Sequence, residues 1–176
     1  MKTEKRIIQI SPSQIRQFER CSLQWFFVKR AKILLRPTST LAVGSAVHQG
    51  IQQDYETVIE TGKLAPLDVI QDAAAESFEV LSKETYFEEG EKPKELKDEV
   101  VSLAELHHTD LAPHVQPKEV ETWLDVRLER PDDSEILIRQ RADVVTEDSI
   151  IDNKTSNSKV GVGGWKGKQR VVRYAR

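Results

Sequence analysis

At 176 residues, with 38% hydrophobic and 31% charged residues, the chain has the size and apolar content of one domain with a highly charged surface. No apolar run approaches the roughly 18 to 20 residues of a membrane span, and no apolar signal core follows the first six residues, so neither a membrane nor a secreted protein is expected. The lone cysteine, Cys21, excludes an internal disulfide and fits a reducing cytoplasm, and the net charge of −3 is not that of a protein coating nucleic acid.

Ser11, Pro12 and Gln14 form a helix start, with a capping hydroxyl, a proline suited to the first helical position and a glutamine three residues after the cap. Ile15, Phe18, Cys21, Trp25 and Val28 then recur at helical spacing until Pro37 ends the segment. The aromatic cluster Trp25, Phe26 and Phe27 reads as core packing rather than base stacking, and Cys21 as a small buried hydrophobe. A second helix is expected over about 41–61, with Val43, Val47, Ile51, Tyr55 and Val58 on its apolar face and Gly62 as its stop. Further helices are expected over about 66–87 and 92–111. His107, His108 and His114 lack metal-ligand spacing and read as surface histidines.

After Pro117 the hydrophobic period changes from helical to two. Residues 120–128, 136–145 and 149–155 read as three strands of an antiparallel meander, so the chain is α+β: N-terminal helices packed on a short, mainly antiparallel sheet. Residues 1–156 form the expected domain. Residues 157–176 are a basic, glycine-containing tail with no assigned element; from Lys159 onward it carries six basic residues and no acid. Such a tail can draw in phosphate at long range or simply stay solvated. The run 161–168 lacks the spacing of a phosphate-binding loop.

The candidate chemistry lies at Asp143 and in Asp152-Asn153-Lys154-Thr155. Alternate residues of a strand share a face, which sets Asp152 beside Lys154, and a short turn can bring Asp143 near Asp152. Acids of this kind hold a hard divalent cation, and a lysine beside them steadies charge developing on phosphate. Taken alone, Asp-x-Lys is equally an ordinary charged strand face.

Together with Ile10-Ser11-Pro12-Ser13, Cys21 to Phe26, and Gly44-x-x-x-His48, these residues resemble the PD-(D/E)XK nuclease superfamily over about residues 8–156. Within it they resemble the branch of RecB-like and CRISPR-associated exonuclease-type domains, many of them carried by phages. The resemblance implies a restriction-endonuclease-like core, with its C-terminal part incomplete here. It also implies that His48, Asp143 and Asp152, with the backbone carbonyl of Asn153, bind Mg²⁺ or Mn²⁺, and that Lys154 positions the attacking water. Glu121 matches a glutamate of the preceding strand, either behind the ligands or simply on the strand surface.

The implied activity is a metal-dependent deoxyribonuclease, more often an exonuclease, in DNA processing, recombination or repair. DNA is the implied partner, alongside a helicase or recombination protein on a separate chain, in the cytoplasm of a bacterial or phage-infected cell. Gln140 departs from the family pattern, where glycine is usual. Gln169 and Tyr174 stand five apart where a helix bearing Gln-x-x-x-Tyr is expected. That departure favours an alternative, an inactive remnant serving as a DNA-binding or partner-docking module. One cysteine cannot hold the four-cysteine iron–sulfur cluster of some relatives.

Overall fold

The computed structural model describes residues 6–132 and 134–155 in full and 169–175 as backbone. It divides into two compact units, Met1–Leu35 with Trp123–Arg141, and Arg36–Thr122 with Ala142–Arg176. The fold is α+β. Among the described residues no helix is long and apolar enough to cross a membrane.

The first unit opens with strand β1 (Ile7–Ile10), followed by α1 (Pro12–Arg20), α2 (Ser22–Trp25) and a π-helical turn, Phe26–Arg30. Ser11 caps α1 by accepting from the Gln14 N–H, as the sequence indicates. The single long helix expected up to Pro37 is broken. Cys21 is extended, with φ −162° and ψ 101°, and its sulfur caps α2. That break, and the wider π turn after it, rotate the apolar stripe off one face. Cys21, Phe18, Phe26 and Phe27 are therefore exposed instead of buried, while Trp25 is half-buried, edge-on to Phe18. Strand β1 pairs in parallel with Glu135 to Ile138 of β3 (Glu135–Val145), so the sheet is mixed. Strand β2 (Glu119–Glu129) also pairs with β3. Here the Arg139 guanidinium grips the Asp125 carboxylate at 2.8 and 2.7 Å, which holds that carboxyl below its usual pKa.

The second unit holds α3 (Ser39–Thr61), α4 (Leu67–Ser82) and α5 (Pro93–Asp110), close to the three helices expected. Gly62, at φ 74°, ends α3 in the left-handed conformation that costs glycine no Cβ clash. The apolar positions recur at three and four residues and meet in one core. Val47, Ile51 and Tyr55 face Ile70, Ala74 and Phe78, with Val100, Leu103 and Ala104 from α5. Val144 of β3 and Ile151 of β4 (Ser149–Thr155) close the core from the strands. Each large side chain so buried contributes about 1.5–3 kcal/mol of transfer free energy. Strand β4 pairs antiparallel with the end of β3, Val144 opposite Ile151. Its other edge pairs antiparallel with β5 (Gln169–Ala175), in the stretch where the sequence assigned no element. Gln169 and Tyr174 thus lie on a strand, opposite Thr155 and Ile150, and not on a helix. The run 161–168 and the start of the basic tail fall outside the described residues.

Candidate metal centre

All the residues of the centre belong to the second unit. Helix α3 and strand β4 meet in a matched register. One helical turn separates Gly44 from His48, about 6 Å of rise, and a two-residue strand step covers about 6.6 Å. Gly44 accordingly comes against Thr155, and His48 against Asn153. A Cβ on residue 44 would lie 3.2 Å from the Thr155 Oγ1, so glycine permits the close approach that brings His48 to the strand.

The His48 Nε2 lies 2.7 Å from the backbone carbonyl oxygen of Asn153. A carbonyl only accepts, so Nε2 carries the proton and donates. In the neutral ring the Nδ1 lone pair is then free, and Nδ1 lies 3.7 Å from Asp143 Oδ2. The same carboxylate oxygen accepts the Asn153 backbone N–H at 2.6 Å. Both backbone groups of Asn153 therefore fix the orientation of the centre, the carbonyl through His48 and the amide through Asp143. The Asn153 side chain turns to the buried face of β4, where neither amide atom has a hydrogen-bond partner among the described residues.

Glu121 completes the cluster. Ligand atoms of His48, Glu121 and Asp143 all lie within 4.8 Å of one another. The Lys118 N–H donates to the Val145 carbonyl at 2.7 Å and sets the start of β2 beside the end of β3. Glu121 then adopts φ 52°, a left-handed backbone uncommon for any residue but glycine. Val120, Glu121 and Thr122 are all half-buried, so the simple in–out alternation of a strand fails here. This local twist aims the carboxylate at the centre, and strain of this kind collects at functional sites. Glu121 was legible as a strand acid, but its left-handed backbone leaves no signature in a sequence without glycine at that place.

Asp152 and Lys154 share a face of β4, and Lys154 Nζ donates to Asp152 Oδ1 at 2.6 Å. Among the described residues Asp152 joins no cluster of three ligand-type side chains. The structure therefore brings His48, Glu121, Asp143 and the Asn153 backbone together, and sets Asp152 with Lys154 as an ion pair on the same strand.

A model of the PD-(D/E)XK nuclease superfamily matches residues 9–166. The chain belongs to this superfamily. No match was found among curated proteins or among solved structures. The superfamily is one of metal-dependent nucleases, with DNA as the implied substrate, and the mixed α+β arrangement is consistent with its restriction-endonuclease-like fold. The donor set fits a divalent cation on its own chemistry. Two carboxylates and one imidazole with ligand atoms within 4.8 Å of one another are hard oxygen and nitrogen donors of the kind that hold a divalent cation.

The histidines of α5 correct the sequence reading. His107 is buried and lies 3.2 Å from the Tyr55 hydroxyl. Burial holds its pKa down to about 3, with the His48 and His108 imidazoles adding to the effect. His108 is bonded through Nδ1 to the fully buried Asp54, at 2.8 Å. His107 continues the stripe Val100, Leu103 and Ala104 at helical spacing, and that periodicity was the available signal. His114 is exposed, as expected.

Proposed function

We propose that the chain is a DNA exonuclease of the RecB-like branch, using Mg²⁺ or Mn²⁺ in DNA processing, recombination or repair in a bacterial or phage-infected cell. The observation that carries the nuclease chemistry is the convergence of His48, Glu121 and Asp143 beside an Asp-x-Lys strand. The branch and the exonucleolytic mode rest on the order of Gly44-x-x-x-His48, Asp143 and Asp152-x-Lys154-Thr155. A helicase or recombination partner would be a separate chain.

His48, Glu121 and Asp143 would hold the cation, with Asp152 as a further carboxylate and the Asn153 carbonyl at its edge. When bound, the cation acts as a Lewis acid on the phosphoryl oxygen and lowers the pKa of an attacking water. The Asn153 carbonyl keeps the proton of His48 on Nε2, so the ring presents its lone pair inward. Lys154, held by Asp152, orients the water and stabilises the negative charge that grows on the phosphate. Hydrolysis leaves a 5′-phosphate and a 3′-hydroxyl.

One observation favours a second reading, a DNA-binding remnant without catalysis. Asp152 is engaged by Lys154 and stands outside the cluster of three. A nuclease assay on linear single- and double-stranded DNA with Mn²⁺ or Mg²⁺ separates the two readings. Cleavage that is lost in Asp143→Asn and Lys154→Ala supports the enzyme. Cleavage equal in all three proteins rejects the site, and DNA binding without cleavage in wild type supports the remnant.

A further inference from the structure

The first unit carries a surface that the metal centre does not use. Residues 12–35 hold five basic side chains, Arg16, Arg20, Lys29, Arg30 and Lys32, against one acid, Glu19. The unit as a whole has 12 basic and 7 acidic residues, whereas the unit bearing the metal centre has 14 and 22. The smaller unit thus carries a net charge of +5 and the larger one −8. Arg16, Arg30 and Lys32 are exposed and make no ion pair among the described residues.

Aromatic rings stand among these cations. Phe18, Phe26 and Phe27 are 51%, 49% and 43% exposed. Phe26 and Phe27 are neighbours in the π-helical turn, with centroids 5.8 Å apart and planes at 68°, so they offer π faces in different directions. Consecutive half-exposed phenylalanines are costly in water unless something covers them. Unpaired guanidinium and ammonium groups interleaved with open rings match a polyanion whose bases are free to stack. Duplex DNA keeps its bases stacked on one another and would leave the rings uncovered.

We infer that residues 12–35 bind single-stranded DNA, its bases stacking on Phe18, Phe26 and Phe27 and its phosphates meeting Arg16, Arg30 and Lys32. The choice of polymer rests on the nuclease reading above, but the binding itself needs neither the cation nor cleavage.

The test is fluorescence anisotropy of a labelled thymidine homopolymer, and of a duplex of equal length, titrated with the full chain in EDTA. Wild type should bind the single strand more tightly than the duplex. Phe26→Leu/Phe27→Leu should weaken single-strand binding roughly tenfold or more per ring while the salt dependence stays the same. Arg16→Gln/Arg30→Gln/Lys32→Gln should flatten the slope of log K against log salt by about 0.7 per residue. Because these three side chains lie at the surface, the second variant reports even if the first folds poorly. Equal affinity for strand and duplex, or a leucine variant and a glutamine variant that both bind as wild type does, overturns the proposal. So does a wild-type dimer in sedimentation that the leucine substitutions dissociate, since the rings would then face a second copy. If the leucine and glutamine variants bind like wild type while Asp143→Asn loses cleavage, only this inference fails. If Asp143→Asn cleaves normally while the leucine and glutamine variants lose binding, only the metal centre fails.

Discussion

Helix α3 carries two acid–imidazole clusters about two turns apart, and they are built to opposite ends. Toward its N-terminal half, His48 meets Glu121 and Asp143 in a half-buried setting, an imidazole and two carboxylates with ligand atoms within 4.8 Å of one another. Further along, Asp54 and Tyr55 meet His108 and His107 in the core. There each contact is already closed. Asp54 accepts the Ala65 N–H at 3.1 Å with one oxygen and bonds His108 with the other, and His107 faces Tyr55. The same residue types thus serve different ends. A buried cluster whose lone pairs and protons are matched is structural, whereas a half-buried cluster of convergent oxygen and nitrogen donors can receive a cation.

Removing an acid from each cluster should give effects of different kind. Asp143→Asn is expected to lower DNA cleavage at least about 100-fold, with little change in melting temperature without metal; parallel nuclease and melting assays check this. Asp54→Ala leaves His108 and the Ala65 N–H without their buried partner. It should cost about 2–4 kcal/mol in a denaturant titration, and protein that remains folded should keep the metal response.

That response is the next test. At about 100 times its dissociation constant, Mn²⁺ should raise wild-type stability by about 2.7 kcal/mol. The gain should shrink in Glu121→Gln and persist in Asp54→Ala, as followed by thermal melts with and without the ion. An unchanged gain in Glu121→Gln would remove that residue from the ligand set.

The closed cluster should show itself through pH. The His107 pKa is about 3 in the folded chain, below the ordinary 6.5, because burial opposes its charge. The unfolded chain therefore binds the proton more readily between these values. Stability from this group is complete above about pH 6.5 and declines as pH falls toward 3, by up to about 1.4 kcal/mol per pH unit. His107→Gln should flatten that part of the curve in denaturant titrations across the range.

The smallest effect is expected at the contact between α3 and β4. Gly44→Ala gains helix propensity but presses on Thr155 Oγ1 at 3.2 Å, so the net change should stay under about 1 kcal/mol. In Gly44→Ala/Thr155→Ala the crowding is gone and the helix gain should emerge, which a double-mutant cycle measures.

Much of the second unit was legible. Val47, Ile51 and Tyr55, and Ile70, Ala74 and Phe78, announce helix faces by their spacing alone, and Gly62 marks a helix end. The candidate residues Gly44, His48, Asp143, Asp152 and Lys154 stood out by order. The first unit was less legible. Strand β1 pairs with residues far along the chain, Ile7 with Glu135, and four residues carry too little pattern to show that. The helix through Cys21 looked continuous because its apolar spacing was intact, yet one extended residue divided it and exposed the rings beyond.

By itself the sequence determined the local elements and the kinds of chemistry on offer, because periodicity and capping act between residues a few positions apart. Tertiary structure alone decided which acids converge. Glu121 reaches His48 and Asp143 through a strand pairing and a left-handed backbone, while Asp152 is held by Lys154. Convergence of charge depends on distances through space, and those are set by packing across the chain.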